Sequence, residues 1–580
     1  MFQPRKLTQL LLALVALSSL SSTVSAEMSE QCMQNLFPIY AGGSKKEQVK
    51  CFIYDPRNEM IVVGGSTNSE DFAPAANDHG FLFALDLSGN WKWGKFFYNV
   101  SYAVSEISGC TLASDGSSLT VFGQGNSQPV IMDMDTKEGS INKYISLEFR
   151  DTSEEVVPVY QTYGAIYYDK SDYYDRKEYF YTGFLMDGKV EFLRLVNLAT
   201  PLVDWSFEFY DYSQEETTND FYRTKVPQFL HDDPRDDQVL YLTGQFRGAA
   251  SIMRMQKRDA KMRWWAQFEK LSNIRAYAQV PQDDHFYACG DYNKKEDFTD
   301  PTTVDYNAGL FRIQNDGEIK WYITAEGTNP VSTALNADRC FGVAYHQRPN
   351  QRGDEISFLL QIKMKELRYF TPGDFYDTLL LVLDPSGNVH NAVSISNRQT
   401  SYDMWAANQG LFMVGGDHFF AGWSYGYATR LQTLVKDAAA PDYDAFIYKY
   451  LFTTDTDQQS NCLYEQVVTI SDAAKQLKKT SSSDIQNQGI YRLWNDNKKV
   501  EKTRTQKYFY PYTSRYSGGF SLMDTMKIPR PCAFKSYNLT SIDYYRGQRP
   551  LDYKISSSDN TAGFVVTLMN TKSEFIFQNG

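Results

Sequence analysis

Residues Cys51–Phe97 read CFIYDPRNEMIVVGGSTNSEDFAPAANDHGFLFALDLSGNWKWGKFF, and the chain as far as about residue 455 repeats this stretch with variations. It divides into four strand-like segments, CFIYDP, MIVVGGS, FLFALDLSG and WKWGKFF. Each is rich in β-branched and aromatic residues and bounded by Gly, Asn, Pro or Asp, and Ser88-Gly89-Asn90 supplies a tight turn. A four-stranded unit recurring along a chain is the signature of a propeller or a solenoid.

Two landmarks carry the repeat. The first is an apolar strand ending in glycine: IVVGG (Gly64, Gly65), TVFGQG (Gly123), YFYTG (Gly183), YLTG (Gly244), FYACG (Gly290) and FFAGW (Gly422). The second is an apolar strand running into an acidic hairpin, at Asp86, Asp135, Asp187, Asp259, Asp316 and Asp384. A seventh copy, Tyr443 to Phe452, keeps the strand and lacks the turn. Asp and Gly tolerate the conformations that reverse a strand, so these aspartates read as turn formers rather than ligands. The spacing averages roughly 60 residues, longer than a compact propeller blade. The excess lies between the two landmarks, in inserts such as NKKEDFTDPTTVDYN and KMKELRYFTPGDFYD, which are expected to emerge together on one rim.

Seven units predict seven blades. Leu36 to Tyr40 precedes the first complete unit and the last unit lacks a fourth strand after Phe452. Pairing that N-terminal strand with the last blade removes an open edge. The expected class is therefore all-β: a seven-bladed β-propeller over 33–456, a linker or short helix over 457–490, and a small, sandwich-like β module over 491–580. SEFIF near the end is strand-like, as though the architecture continues.

The series resembles the SBBP β-propeller repeats, whose pattern runs YLGGS, then a G-T/S-T-x-S-x-x-F-P segment, then D-x-F-V-x-K-L-D-x-x-G-x-x-x-W. Here those segments are YAGGS (Tyr40 to Ser44), GGSTNSEDFAP (Gly64 to Pro74) and HGFLFALDLSGNWKW (His79 to Trp93), with DAFIYKYLF near the end. The resemblance covers residues 33 to 455 and implies a propeller. It brings no catalytic residues with it. SIDYYRGQRPLDYKISSSDNTAGFVVTLMN, from Ser541, resembles the opening of a cadherin-like or dystroglycan-type module.

Arg5 and Lys6 precede an apolar run from Leu10 to Leu20, and Val24-Ser25-Ala26 gives a small-residue cleavage pattern. Residues 1–26 thus read as a secretory signal peptide, and the mature protein is expected to be secreted or held at the cell surface with no membrane span within 27–580. The sequence carries a formal charge of −12, and losing the signal makes it more negative. That argues against binding a phosphate backbone. In an exported chain the seven cysteines, Cys32, Cys51, Cys110, Cys289, Cys340, Cys462 and Cys532, predict disulfides with one thiol left over. Cys51 and Cys110 occupy equivalent first-strand positions of adjacent units, and Cys340 sits at the same place later. Cys51–Cys110 and Cys289–Cys340 are the favoured pairs, with Cys32 and Cys532 competing for Cys462. Asn99 and Asn538 head glycosylation sequons.

Candidate chemistry is sparse. Gly422-Trp423-Ser424-Tyr425-Gly426 matches G-x-S-x-G, but no histidine follows it as a nucleophile elbow requires. His79, His231, His285, His346, His390 and His418 lack zinc spacing. The acidic run Asp232 to Asp237 lacks the alternation and glycine of a calcium loop and reads as a hairpin. DGEIKW and SGNWKW resemble the ends of quinone-cofactor propeller strands, but tryptophans there are explained by packing between blades. The sequence thus predicts a binding or structural propeller for an extracellular protein or glycan, with no cofactor and no nucleic acid. The alternative is a secreted propeller enzyme, a glycan-active hydrolase or a quinone-dependent oxidoreductase, with a perturbed carboxylate in its channel.

Overall fold

The computed structural model describes residues 39–41 and most of 45–451, apart from connections between strands, and nine strands between 468 and 579. The first blade is β2 (Glu47–Asp55), β3 (Met60–Thr67), β4 (His79–Asp86) and β5 (Trp91–Phe97). The second is β6 (Glu106–Leu112), β7 (Leu119–Gly125), β8 (Gln128–Met134) and β9 (Ile141–Arg150). The third is β10 (Val159–Asp169), β11 (Tyr179–Met186), β12 (Lys189–Val196) and β13 (Leu202–Phe209). The fourth is β14 (Lys225–Asp233), β15 (Asp236–Phe246), β16 (Ala249–Gln256) and β17 (Met262–Phe268). The fifth is β18 (Leu271–Gln279), β19 (His285–Asn293), β20 (Tyr306–Gln314) and β21 (Ile319–Gly327). The sixth is β22 (Arg339–His346), β23 (Glu355–Lys363), β24 (Tyr376–Leu383) and β25 (Val389–Ile395), and the seventh is β26 (Met404–Val414), β27 (Asp417–Tyr425) and β28 (Tyr443–Leu451). The protein is an all-β, seven-bladed propeller.

Each blade is an antiparallel meander with its first strand against the first strands of its neighbours, so these strands ring the central channel. Both faces of every sheet are covered by adjacent blades. That is why middle strands are continuous apolar runs rather than alternating ones. In the LLLVL run of β24, Leu379, Leu381 and Leu383 pack toward the fifth blade, while Leu380 packs toward the seventh. The hydrophobic core is accordingly a series of separate clusters, one in each described interface between blades.

β1 (Ile39–Ala41) closes the ring, pairing antiparallel with β28 so that Ile39 faces Ile447 and Ala41 faces Ala445. One landmark is displaced. Asp187 and Gly188 lie between β11 and β12, the second and third strands, rather than at the third-to-fourth hairpin as the repeat implied. A two-residue reversal after Met186 suffices there, and the third-to-fourth link falls at 197–201 instead.

Beyond β28 the strands run back around the perimeter. β29 (Val468–Asp472) pairs with β21, β30 (Leu477–Thr480) with β17, and β31 (Tyr491–Asn495) with β13. β32 (Tyr508–Thr513) pairs with β9, and β33 (Phe520–Met526) reaches β5. β34 (Tyr537–Tyr544) and β35 (Ile555–Ser557) extend the first blade, and β36 (Phe564–Val566) forms a hairpin with β37 (Phe577–Asn579). The stretch expected as a linker or short helix, 457–490, therefore contains β29 and β30. Helix propensity in Leu477-Lys478-Lys479 is outweighed by the ladder bonds that an open blade edge offers. Among the described strands of 491–580, β31, β32 and β33 belong to the sheets of blades three, two and one.

A chain ending at residue 467 should bare the outer edges of blades one to five. We expect it to retain the strand content of the ring but to self-associate, measured by light scattering and thioflavin fluorescence; a monodisperse product would contradict the pairing of these strands.

Candidate functional site

The third-to-fourth turns and the first strands' ends share one rim, and there the blades are joined by a repeated contact. A tryptophan on the fourth strand donates its indole N–H to a carbonyl at the start of the next blade's hairpin. Trp93 reaches Thr136 at 2.7 Å, Trp205 reaches Lys257 at 3.1 Å, Trp264 reaches Asn315 at 2.7 Å and Trp321 reaches Pro385 at 2.9 Å. The turn's glycine makes room for the ring. Gly139 holds φ at 65°, and a Cβ there would lie 2.5 Å from the Trp93 ring. Gly387 stands in the same relation to Trp321. The turn's aspartate folds the hairpin: Asp384 accepts from the backbone N–H groups of Ser386 and Asn388, and Asp86 from those of Ser88 and Asn90. Burial opposes the charge on Asp86, but hydrogen bonds from Asn90 and Lys92 outweigh it and hold the carboxyl below its ordinary value.

In blades one, three and four the aspartate ending the first strand grips the same turn. Asp55 accepts hydrogen bonds from Asn58 and Thr136, and Asp233 from Asn315, while Asp169 pairs with Lys257. Between blades three and four this becomes a polar centre. The Lys257 ammonium, 6% exposed, lies 3.1 Å from Asp169 and 2.7 Å from Asp232. Tyr167 donates its hydroxyl to Asp232 at 2.6 Å, and its ring stands 4.8 Å from Lys257 Nζ. From blade five, the Gln279 amide donates to the Asp232 carbonyl. Water reaches a third of the Asp232 side chain (34%), yet burial pushes its carboxyl above the ordinary value; Lys257 and Tyr167 pull the other way, and Asp169 adds to the rise. Next to it His231 is stacked between Tyr241 and Tyr277, at 4.9 and 4.1 Å, and burial pushes its imidazole down to about 3, so it stays neutral.

Sequence reasoning missed this centre because two blades supply it. The available signal was the recurrence of YD, YYD and HDD at the ends of first strands, at Asp55, Asp169 and Asp233. The acidic run forms the expected hairpin between β14 and β15, with Asp233 and Asp236 at 3.0 and 3.5 Å from Arg254.

Deeper in the channel, Gln409 adopts a left-handed φ of 54° inside a bulge of β26, and its amide oxygen accepts from the Tyr277 backbone N–H at 3.1 Å. This strut links blades seven and five past the inner strand of blade six.

Cys51 and Cys110 join β2 to β6 with their Cα atoms 5.4 Å apart, and Cys289 and Cys340 join β19 to β22 at 5.7 Å. Cys32, Cys462, Cys532, Asn99 and the segment 1–26 lie outside the described residues, and Asn538 falls in β34. The six histidines sit on six different strands. Asp283, Asp284 and His285 bring oxygen and nitrogen atoms within 4.8 Å of one another, but the Arg312 guanidinium lies 3.3 Å from His285 Nδ1 and disfavours a cation there. Ser424 lies within β27, paired with Asp444, rather than on a strand-to-helix turn. Trp93 and Trp321, the residues that suggested quinone-type strands, hold neighbouring blades. Among the described residues no helix is long and apolar enough to cross a membrane.

No family model matches the chain, and no curated protein matches it by sequence. Among solved structures it is similar to the β-propeller domain of Myceliophteria thermophila Cps50 (Swd1), with 8% identity over 71% of this chain and 98% of that one and a TM-score of 0.37. It is also similar to the WD40 repeats of RRP9, at 9% identity over 71% and 100% of the two chains and a TM-score of 0.36. The Dos1 propeller matches at 9% identity over 71% and 95%, with a TM-score of 0.35.

Replacing Lys257 with Met strands two carboxylates. We expect denaturant unfolding to show a loss of about 3 kcal/mol, the lower end for a broken buried pair because Asp232 keeps some water contact. The raised Asp232 carboxyl stabilises the fold below the ordinary carboxylate pKa, and that contribution is lost as pH rises through its folded value. Unfolding free energies of wild type and Asp232→Asn, compared across pH, should therefore diverge in the window above 3.8, with wild type losing ground; a constant difference would show that Asp232 does not titrate there.

Proposed function

We propose that this chain is a secreted or cell-surface binding protein that presents a propeller, of SBBP repeat type, for recognition of an extracellular protein or glycan. The observation that carries this is the inequality of the two rims. On one, first-to-second and third-to-fourth links include tight turns locked between blades. The other gathers the second-to-third and fourth-to-first links, which include 69–77, 210–224, 294–305, 364–375 and 426–442. Long links on a rigid scaffold are where recognition residues concentrate. The signal-like segment 1–26, the sequons at Asn99 and Asn538 and two disulfides support passage through an oxidising export route.

A second reading, a secreted glycan-active enzyme, draws on the raised carboxyl of Asp232. Its oxygens, however, already meet Lys257 and Tyr167, which fits an interblade clamp better than a free acid.

Chimeras that exchange the inserts at 291–305 and 362–376 should change which partner the secreted 27–580 protein captures from its own cell surface. Unchanged capture would count against the rim, and turnover of a captured glycan that is lost in Asp232→Asn would favour the enzyme.

A further inference from the structure

The inner strands of the ring share one irregularity. In all seven blades the pairing of the first strand with the second breaks at a bulge, four or five residue pairs in from the rim of tight turns. In blades one to five and in blade seven, the glycine that ends the second strand's apolar run lies at or beside that break. The bulge presses the first strand's backbone onto it. A Cβ on Gly65 would lie 1.7 Å from the Gln48 carbonyl oxygen, and one on Gly290 1.7 Å from that of Asn273.

A bulge re-aims a side chain. The extra residues are Lys50, Ser108, Arg275 and Phe341 in blades one, two, five and six, and Gln409 stands in the longer bulge of blade seven. Lys50, Ser108 and Arg275 are each partly exposed between two buried neighbours. Adjacent blades cover both faces of these strands, so the water that reaches the three side chains comes through the channel. The bulges thus set a ring of side chains at one depth in its wall.

The members of this ring are tethered and their charges are balanced. Lys50 pairs with Glu106 of the next blade, and Ser108 donates to the same carboxylate at 3.1 Å. Arg275 Nε lies 2.7 and 2.8 Å from the two Asp291 oxygens, and the guanidinium stands 4.8 Å from the centre of the Phe341 ring. The Gln409 Oε1 is held by the Tyr277 backbone N–H, and its Nε2 remains as a donor. The bulged residues of blades three and four, 163–165 and 226–228, include no Asp, Glu, Lys or Arg.

We propose that this ring is the seat for one neutral sugar residue, the end of a glycan that enters through the insert-bearing mouth of the channel. The proposal rests on the glycan arm of the recognition reading and places the specific contacts in the channel. A pyranose is a disc with hydroxyls around its edge, each both donor and acceptor. Fixed polar groups at one depth can meet it from several sides, whereas an extended peptide presents its polar groups along a line. Each described cation of the ring already has its carboxylate, which favours a neutral sugar over a uronate or an amino sugar. Groups held in place beforehand lose little freedom when the ligand arrives.

The test is saturation-transfer NMR on the secreted protein with a panel of free neutral hexoses, 6-deoxyhexoses, pentoses and N-acetylhexosamines. At least one should bind wild type. Ser108→Phe fills the ring and should abolish that signal. Gln409→Gly keeps a backbone that tolerates the left-handed φ, removes the amide, and should weaken binding about tenfold, the scale of one lost hydrogen bond. Both variants should melt cooperatively near the wild-type temperature, and the two act at different blades, so a folding defect in one leaves the other as the test. No binding by any sugar would overturn the proposal, as would equal binding by wild type and both folded variants, or tighter binding of a uronate than of its neutral counterpart. The insert chimeras keep the bulges and are measured in parallel. Sugar bound through the ring by chimeras whose capture is unchanged would support the seat and count against the rim; capture that follows the inserts, with no free sugar bound, would do the reverse.

Discussion

The contact between a tryptophan indole and the opening carbonyl of the next blade's hairpin sets the geometry of the ring. A propeller blade has no core of its own, because its hydrophobic faces are satisfied only by neighbours. Apolar packing alone leaves the angle between two blades soft. A directional N–H···O bond at the rim, together with a ring seated on a glycine that has no Cβ to obstruct it, fixes that angle. Four interfaces use the hydrogen bond, through Trp93, Trp205, Trp264 and Trp321, and two of them seat the ring on a glycine, Gly139 under Trp93 and Gly387 under Trp321. In blades one, three and four the aspartate at the end of the first strand then holds the same turn from the channel side. An acidic turn followed by a tryptophan, which looks like a local turn signal, is therefore a joint: the turn shapes a socket, and the Trp enters the socket of the following blade.

The second constraint is the management of edges. β1 converts an open seventh blade into a closed one with only three residues, and the strands after residue 467 occupy outer edges that would otherwise present unpaired backbone. The disulfides add to neither closure. They tie the first strands of blades one and two, and the second strand of blade five to the first of blade six, and shrink the unfolded ensemble by about 4 kcal/mol for a loop of the Cys51–Cys110 size on the chain-entropy account.

Much of this was legible in the chain. Fold class and blade number followed from the two landmarks, because each landmark is a local event: a strand stopping at glycine, or a strand turning at aspartate. The aspartates at 86, 135, 259, 316 and 384 form the hairpins expected of them. Asp187 misled because a hairpin signal does not say which two strands it joins. The Tyr167, Asp169, Asp232 and Lys257 centre was only half legible, for a different reason. The aspartate at the end of a first strand recurs, but Lys257, which reaches Asp169 from the next blade, has no counterpart in the other hairpins. The strands at 468–472 and 477–480 were hidden because a short polar segment takes the conformation that an existing edge imposes on it.

The retrograde course of the C-terminal strands has a kinetic consequence. β29 pairs with the fifth blade, β30 with the fourth, β31 with the third, β32 with the second and β33 with the first, so each successive strand binds a partner synthesised earlier than the last. Sequence separation therefore grows with every pairing, and the loop-closure entropy rises with it, slowly, if the strands act independently. Sequential zipping removes that penalty. Once β29 is seated, the next partner lies one blade away, so the tail can advance around the finished ring in short steps. Each blade's outer strand has to be in place before its tail strand can pair, and the tail meets those strands in the reverse of the order in which they emerge.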